Sequence, residues 1–388
     1  MSLRAADISP LRVHLLPISM HFLYTAPRYH TNQHYPVTAL LEAGHQVTFL
    51  VLRRGRTETY DALEPVVLGC SPVFDVLRRV ASLIPGIAYW DTGGLPPILR
   101  FVSEVRARRP SAMVVRDPRS AYGLLAMLVA KLIRAHLILY SQSARNVDPK
   151  SSNRALVRML RRVTHASWFS PMRGDGAGDG PVAYLPFVMP TQVSPEQKQW
   201  YAGDCVNLLA IGMFVPRKNH CLFVDAVAEL SRRYRVRAKI VGECSTEAHY
   251  EELHKVRQQC RRLGLEDNVQ VELNVAFADM RRHYSDHDVF VLASRDEPAA
   301  VSPLEAMAHC LPVVCSDSNG TSCYIRPGEN GFVFRTDDVD DLVSCLDRVV
   351  ANREVLIEMG RRSHELVGTE HAPSRYVDTV VRMASPSP

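Results

Sequence analysis

Two glutamates eight positions apart, Glu297 and Glu305, are the residues whose types and spacing most directly suggest chemistry in this sequence. Glu297 follows an apolar run, Val289–Leu292, that predicts a short buried strand. Ser302 and Pro303 then favour the start of a helix, with Ser302 as the N-cap and Pro303 in the first turn. One carboxylate is therefore predicted in a loop and the other about one turn into a helix.

The loop between the two glutamates predicts a site for an anion. Where a loop leaves a parallel strand and enters a helix, backbone N–H groups and the positive end of the helix dipole converge. The N–H groups of Ala300, Val301 and Ser302 are the candidates for that site. Glu305 can reach a hydroxyl group on one side of the anion, and Glu297 can reach a hydroxyl group on the other side. An anion flanked by two carboxylates that bind hydroxyl groups suggests a sugar nucleotide as the ligand.

A second group of residues combines glycines with cations. Gly212 ends a predicted strand, and Arg217 and Lys218 follow at the predicted start of a helix over residues 218–234. Cations at a helix start oppose the helix dipole unless an anion binds there. Gly242 ends the next predicted strand, near the expected position of a nucleotide.

Together the two groups resemble the donor site of retaining GT-B glycosyltransferases, family 4 in particular. The resemblance is carried by the run EPAAVSPLEAMA from Glu297 onwards, followed by PVV, and by the glycine loop that contains Lys218. It implies that Arg217 and Lys218 bind the donor pyrophosphate and that Glu305 binds the ribose. It also implies that Glu297 holds the transferred sugar and that Val275 contacts the base through its backbone.

Short apolar runs alternate with amphipathic stretches along most of the chain, which predicts repeated strand–helix units and parallel sheets. With the resemblance, this pattern predicts an α/β protein of the GT-B class, in which two Rossmann-like βαβ domains enclose a donor cleft. We place an acceptor-binding domain at residues 1–190, a hinge at 191–204 and a nucleotide-sugar-binding domain at 205–370. Residues 371–388 are expected to form a helix that crosses back to the first domain, followed by a tail.

The first half supplies candidates for the acceptor side of the cleft. Residues 11–16 are predicted as the first strand, 19–34 as a polar loop, 35–43 as a helix and 45–52 as the second strand. The resemblance implies that the loop faces the donor phosphates, which makes Asn32 and His34 cleft candidates. Asp117 and Gln142 follow two further predicted strands, and residues at the carboxyl ends of parallel strands face the ligand crevice.

Charge is unevenly distributed along the chain. Residues 1–200 contain 24 Lys and Arg against 13 Asp and Glu, a net charge of +11, whereas residues 201–388 contain 22 against 28, a net charge of −6. A basic half indicates an anionic partner: a membrane surface, a phospholipid-linked acceptor or nucleic acid. Interleaved aromatic residues and recognisable nucleic-acid modules are missing, so nucleic acid is not expected as a partner. We expect a glycan or lipid-linked acceptor and peripheral contact with anionic membrane.

Two further segments of the first half have an amphipathic, basic character that suits membrane contact, residues 73–84 and 153–168, although ordinary exposed helices have the same pattern. The first ten residues, MSLRAADISP, lack the apolar core of a signal peptide. Nine cysteines without a C-x-x-C pair favour reduced thiols. We therefore expect a cytoplasmic protein at the inner face of the cytoplasmic membrane.

Other motifs are interpreted as structural. Asp286-His-Asp288 matches the D-x-D of metal-dependent glycosyltransferases, but it directly precedes a buried strand, so we predict neither a metal nor a cofactor. Asp338 is placed to cap a helix. The glycines of residues 174–180 lack the Lys and Ser or Thr of a P-loop.

The predicted function is transfer of a sugar from a nucleotide-diphosphate sugar, of UDP or GDP type, with retention and without a metal, in cell-surface polysaccharide biosynthesis. Two alternatives remain open. One is an epimerase or hydrolase of sugar nucleotides on the same fold. The other is a catalytically silent sugar-nucleotide-binding partner, which is favoured by three departures from the family: Met213 at the first cation position, Cys310 in place of glycine, and Pro298–Ala300 in place of Gly-Phe-Gly.

Overall fold

The computed structural model describes residues 19–55, 60–72, 74, 94–118, 120–142, 162–173 and 183–385. In this part of the chain two parallel sheets form, each flanked by helices. The predicted α/β architecture with two Rossmann-like units is therefore confirmed.

The first sheet is formed by seven strands. They are β1 (His21–Ala26), β2 (Gln46–Val51), β3 (Val66–Val67), β4 (Ala112–Arg116), β5 (His136–Tyr140), β6 (Ser167–Ser170) and β7 (Ala183–Tyr184). Their order in the sheet is β3-β2-β1-β4-β5-β6-β7. The strand order reverses between β1 and β4, and ligands of open α/β sheets bind outside the carboxyl ends of the strands at such a reversal.

The second sheet has six strands and the same kind of reversal. They are β8 (Val206–Ile211), β9 (Val236–Gly242), β10 (Val269–Leu273), β11 (Val289–Leu292), β12 (Val313–Ser316) and β13 (Gly331–Phe334). Their order is β10-β9-β8-β11-β12-β13, so the reversal lies between β8 and β11. The predicted glycine loop follows β8 and the loop with Glu297 follows β11, which places both at this point.

The helices connect the strands and cover the faces of the sheets. They are α1 (His34–Glu42), α2 (Ile98–Arg108), α3 (Ala121–Leu132), α4 (His220–Ser231), α5 (Glu247–Leu263), α6 (Phe277–Ser285), α7 (Ser302–Ala308), α8 (Val339–Val350), α9 (Arg353–Glu370) and α10 (Pro373–Ala384). Several begin at side-chain caps: Thr246 accepts from the His249 N–H at the start of α5, and Asp338 accepts from the Asp341 N–H at the start of α8. None of the helices in the described ranges combines the length and apolar composition that a bilayer crossing needs.

The last helix, α10, packs on the first sheet although it follows the second one in the chain. It contacts α1 and β5. The hydroxyl groups of Tyr24 in β1 and Tyr376 in α10 lie 2.9 Å apart in a buried hydrogen bond. Val380 and Ala384 of α10 are fully buried in the core that includes Phe22. The opposite face of the first sheet is covered by α2 and α3, where the rings of Phe101 and Tyr122 meet edge to face.

The prediction of a polar loop over residues 19–34 is wrong. That segment contains β1, a central strand that is buried from Phe22 to Ala26 because it pairs with β2 on one side and β4 on the other. The helix predicted to begin at Lys218 begins at His220, after a 3₁₀ turn over Pro216–Lys218. Residues 167–168, predicted to continue a basic amphipathic stretch, belong to β6.

Several predictions concern residues that lie wholly or largely outside the described ranges. They are the strand over 11–16, the amphipathic segments 73–84 and 153–161, and the glycine-rich run 174–180. The observed elements α2, β3 and β13 were also not predicted.

Candidate active site

A cleft of about 660 Å³ opens at the carboxyl ends of β8, β9 and β10. Four of the predicted site residues line it together: Gly212, Gly242, Val275 and Glu305. Thr31, which precedes α1 in the first half, closes the cleft from the opposite side. The structure therefore brings these four predicted donor residues to one place between the two sheets.

The two glycines allow the backbones of neighbouring loops to approach each other closely. A Cβ atom added at Gly242 would lie 2.5 Å from the carbonyl oxygen of Gly212 and 2.5 Å from the ring of Phe214. A Cβ atom at Gly212 would lie 2.8 Å from Cδ of Lys218. Glycine is therefore required at position 242, where a Cβ atom would meet backbone and a buried ring, whereas a larger residue at position 212 would displace the Lys218 side chain.

Lys218, Arg217 and Glu297 form a compact charged group beside Gly212. The Lys218 Nζ atom lies 2.7 Å from Oε2 of Glu297, and Arg217 donates a hydrogen bond to the same oxygen. Glu297 and Lys218 are buried, whereas 40% of the Arg217 side chain is exposed. Burial lowers the pKa of Lys218, and the Glu297 carboxylate opposes that shift. Two cations around one carboxylate leave a net positive charge that can bind a phosphate.

Within the described ranges, Glu305 is one of two carboxylate residues that line the cleft, the other being Glu243. The hydroxyl group of Tyr284 in α6 donates a hydrogen bond of 2.6 Å to Oε2 of Glu305. Burial raises the pKa of Glu305, and this hydrogen bond acts in the opposite direction. The second oxygen can accept hydrogen bonds from vicinal hydroxyl groups such as those of a ribose.

The loop that leads into α7 carries backbone donors. The N–H groups of Ala300, Val301 and Ser302 donate to no acceptor in the described part of the chain. Thr321 fixes the loop by donating from its hydroxyl group to the carbonyl oxygen of Ala300 at 2.9 Å. Gly320 fixes its other side by donating from its N–H to the carbonyl oxygen of Glu297.

The first-half candidates lie at the carboxyl edge of the first sheet. Asp117, directly after β4, adopts a left-handed backbone with φ of 52°. Gln142, after β5, accepts a hydrogen bond of 2.6 Å from Arg116. His34 begins α1, and its ring meets the ring of Phe277 across the cleft with 6.4 Å between centroids. Asn32 lies one residue from Thr31, in a narrow crevice beside Tyr140.

Among the residues that sequence reasoning did not select, Thr31 and Phe277 line the cleft, Tyr284 contacts Glu305, and Arg116 contacts Gln142. Arg116 carried a usable signal, because it ends a predicted strand in the same way as its neighbour Asp117. No pattern in the sequence indicated Tyr284, Thr31 or Phe277, since their positions depend on which helix faces which loop.

The Asp286-His-Asp288 motif has a structural role. Asp288 is buried and accepts hydrogen bonds from the N–H groups of Tyr201 and Asn207, at 2.8 Å each, and from the Asn207 side chain. These bonds fasten the segment before β8 to the start of β11. Across the described ranges, His, Cys, Asp and Glu form no cluster of three or more that could hold a metal ion.

Comparison with known proteins finds a family model that matches the part of the chain with this arrangement. Residues 197–365, which include all the predicted donor-site residues, match the family model described as "Glycosyl transferases group 1". This segment is similar to the domains that the family model describes. The lipopolysaccharide core biosynthesis glycosyltransferase LpsE of Rhizobium meliloti (strain 1021) is 26% identical to the chain over 190 residues, which are 48% of this chain and 52% of that relative. The curated relatives compared are matched over 24% to 52% of their own lengths.

Solved structures extend the likeness to both sheets. A glycosyltransferase from Rickettsia africae ESF-5 superimposes with a TM-score of 0.73 and 12% identity, covering 95% of this chain and 98% of that one. Anabaena Alr3699/HepE in complex with UDP and glucose gives a TM-score of 0.69 with 14% identity, covering 95% and 100%. The segment that matches the family model is thus the second half of a GT-B fold.

Proposed function

We propose that the chain is a retaining glycosyltransferase that moves a sugar from a nucleotide-diphosphate sugar to a hydroxyl group of a glycan or lipid-linked acceptor. The observation that carries this proposal is the convergence of Gly212, Gly242, Val275 and Glu305 on one cleft, with the Lys218–Glu297 pair beside it. The cleft is large enough for a nucleotide, and the Glu305 carboxylate that lines it is separate from the cations Lys218 and Arg217 beside it.

Each side chain has a role in the proposal. Glu305 accepts hydrogen bonds from the ribose hydroxyl groups. Lys218 and Arg217, with the N–H groups of Ala300 to Ser302, bind the pyrophosphate and stabilise the charge that develops on it as it leaves. Glu297 orients the sugar so that its anomeric carbon faces the acceptor.

The transfer step needs no dedicated base in this scheme. The acceptor oxygen forms a bond to the anomeric carbon on the face from which the phosphate departs. The bond between that carbon and the phosphate oxygen breaks, and the acceptor proton passes to the leaving phosphate oxygen. The configuration of the sugar is therefore retained. The cations supply the charge that a divalent metal would otherwise supply, so we expect activity without a metal.

The donor is proposed to be of UDP or GDP type and the product a cell-surface polysaccharide. The first point is supported by the structural neighbour from Anabaena, which was solved with UDP and glucose. The second is supported by the Rhizobium relative, whose name places it in lipopolysaccharide core biosynthesis. Both are expectations for this chain.

Peripheral contact with a membrane, at the inner face of the cytoplasmic membrane, is also proposed. Leu124, Leu128 and Leu132 recur every fourth residue of α3 and are 45% to 72% exposed. The helix contains no Asp or Glu, and Lys131 and Arg134 lie at its end. An exposed leucine stripe next to basic residues suits the surface of an anionic bilayer.

A panel of UDP-, GDP-, ADP-, dTDP- and CMP-sugars tests the proposal for the donor. Thermal shift and nucleotide release are measured with and without EDTA. One sugar nucleotide should stabilise the protein and be hydrolysed slowly in the presence of EDTA. The donor model is wrong if no sugar nucleotide stabilises the wild type. Binding without hydrolysis or transfer would favour the silent partner, and acceptor-independent release of an altered sugar would favour the epimerase or hydrolase.

Vesicle sedimentation tests the membrane contact separately. Binding to vesicles with phosphatidylglycerol should exceed binding to neutral vesicles at least tenfold, and the triple change of Leu124, Leu128 and Leu132 to glutamine should abolish the difference. Val355→Gln, which replaces a 37% exposed residue of α9, is the matched control. Unchanged sedimentation of the triple variant would contradict the assignment of this surface.

A further inference from the structure

Lys198 is a buried cation in the linker segment, residues 192–198, which lies between the last strand of the first sheet and the first strand of the second. Its ammonium group donates to the backbone carbonyl oxygens of Tyr284 at 3.2 Å, Ser285 at 2.7 Å and His287 at 2.5 Å. Burial lowers the pKa of Lys198 to about 8, so the group is still protonated at neutral pH and has three N–H donors. The three donors therefore match three acceptors.

These hydrogen bonds complete the carboxyl end of helix α6. The last four carbonyl groups of an α-helix have no partner within the helix. In α6, two of the four are met by groups that follow the helix in the chain, the Asp286 N–H and the His287 ring. The other two, those of Tyr284 and Ser285, accept from Lys198. A cation at this end of a helix also interacts favourably with the helix dipole.

The linker segment also holds the next helix, α7. The N–H groups of Gln192 and Val193 donate to the carbonyl oxygen of Ala308 in α7, at 2.9 and 3.3 Å. Arg281 in α6 donates to the carbonyl oxygen of Gln192 at 2.7 Å. Hydrogen bonds therefore fix the linker segment to both helices, at one end through Gln192 and at the other through Lys198.

The two helices carry the pair of residues that includes the proposed ribose ligand. The Tyr284 hydroxyl group in α6 donates to Oε2 of Glu305 in α7 at 2.6 Å. The Tyr284 ring stacks on the ring of His309, with 5.1 Å between the centroids. Lys198 therefore holds the backbone carbonyl group of the same tyrosine whose hydroxyl group holds Glu305. Loss of the ammonium group should loosen this tyrosine at its backbone and allow the Glu305 carboxylate to turn.

We propose that Lys198 is a positioning residue for donor binding, because it fixes the end of α6 so that the Tyr284 hydroxyl group keeps the second oxygen of Glu305 aimed at the ribose. Hydrogen bonds weaken steeply as their angles depart from linearity, so a carboxylate that binds vicinal hydroxyl groups must be held in one orientation. Lys198 therefore sets how strongly the cleft prefers a ribonucleotide to an analogue without those hydroxyl groups. The inference rests on the proposed function, which assigns Glu305 to the ribose.

Calorimetry on the full chain with UDP and GDP, each beside its 2′,3′-dideoxy analogue, measures this preference. The wild type should bind the better of the two nucleotides at least tenfold more tightly than its dideoxy analogue. Lys198→Met, which removes the three donors, should reduce this ratio at least threefold and change the affinity for the dideoxy analogue less than twofold. Lys198→Gln, whose shorter side chain cannot reach all three carbonyl groups, should also reduce the ratio, and it gives a second measurement if the methionine variant does not fold.

Two further variants separate positioning from a general loss of stability. Val349→Ala shortens a fully buried side chain of α8, so it should lower the melting temperature and leave the ratio unchanged. Tyr284→Phe should reduce the ratio by itself. Addition of Lys198→Met to Tyr284→Phe should then reduce the ratio no further, because both changes act on the same hydrogen bond.

The inference alone is overturned if the wild type shows the tenfold preference and both Lys198 variants keep it. It is also overturned if Lys198→Met weakens binding of the nucleotide and of its dideoxy analogue equally, or if the two changes reduce the ratio independently in the double variant. A wild type that binds neither UDP nor GDP refutes the proposed function, and the inference falls with it. Equal binding of the nucleotide and its dideoxy analogue by the wild type refutes the assignment of Glu305 to the ribose.

Discussion

The Nζ atom of Lys218 lies 2.7 Å from Oε2 of Glu297, and only 10% and 8% of the two side chains are exposed. Each charge has been withdrawn from most of its water, so each depends on the other. The same two residues are proposed to act on the donor. Stability and catalysis are therefore coupled at this pair.

Removing the ammonium group should impair the transfer step. Lys218→Ala is expected to reduce turnover at least tenfold, which is about 1.4 kcal/mol of transition-state stabilisation, because the leaving phosphate loses a buried cation. Steady-state kinetics with the donor found in the panel measures this. Lys239→Ala, at a lysine that contacts Glu272 on the surface, should keep wild-type turnover. Full activity of Lys218→Ala would refute the donor model.

Removing the carboxylate alone should destabilise the fold. Glu297→Gln leaves Lys218 buried without its counter-charge, and the expected loss is about 3 kcal/mol in the free energy of unfolding. The double variant Glu297→Gln with Lys218→Met should lose less than the sum of the two single variants. Urea unfolding of the four proteins measures the coupling. Strictly additive losses would show that the pair is not coupled.

The hydrogen bond from Tyr284 to Glu305 should set the acid limit of activity. Glu305 must be ionised to accept from two ribose hydroxyl groups, and burial already raises its pKa. Tyr284→Phe removes a bond that lowers this pKa, so the pKa should rise further and the carboxylate should be lost at a higher pH. The acid limb of kcat/KM should therefore move towards neutral pH. Tyr250→Phe, at an exposed tyrosine of α5, is the control, and an unmoved acid limb in Tyr284→Phe contradicts the role of Glu305.

Adding one methyl group to the floor of the cleft should weaken both binding and stability. In Gly242→Ala the new Cβ atom would meet the Gly212 carbonyl oxygen and the Phe214 ring, each at 2.5 Å, so the backbone must shift at a cost of about 1 to 3 kcal/mol. In Gly368→Ala, the nearest atom is Cγ2 of Thr191 at 3.7 Å, and alanine is favoured in helix α9. Thermal unfolding with and without nucleotide should therefore show losses for Gly242→Ala and none for Gly368→Ala. Equal melting temperatures would contradict the close packing of the two loops.

The second half of the chain could be predicted closely because its signals are local. The helix over Val339–Val350 and the strand over Val289–Leu292 have the predicted bounds, since a capping Asp and an uninterrupted apolar run mark them. The predicted donor residues come together because each lies in a segment that follows a strand of the second sheet.

The structure of the first half could be predicted less well, because more than one apolar run fits the pattern of the first strand. Two apolar runs precede α1, and the run over 21–26 forms the central strand, although periodicity fits both runs. The hydrogen bond between Arg116 and Gln142 depends on β4 and β5 being neighbours, which is a property of the sheet order and not of local sequence. Tyr284 meets Glu305 because its ring lies beside α7, where it also stacks on the ring of His309.

The position of helix α10 in the chain has a consequence for folding during synthesis. Residues 373–384 are translated after both sheets, yet they cover the face of the first sheet that contains Tyr24. While the ribosome is still making the second half, that apolar face has no permanent cover. The nascent first half is therefore expected to need a chaperone or a temporary contact with α1 alone, and it reaches its final stability only when the helix emerges from the exit tunnel.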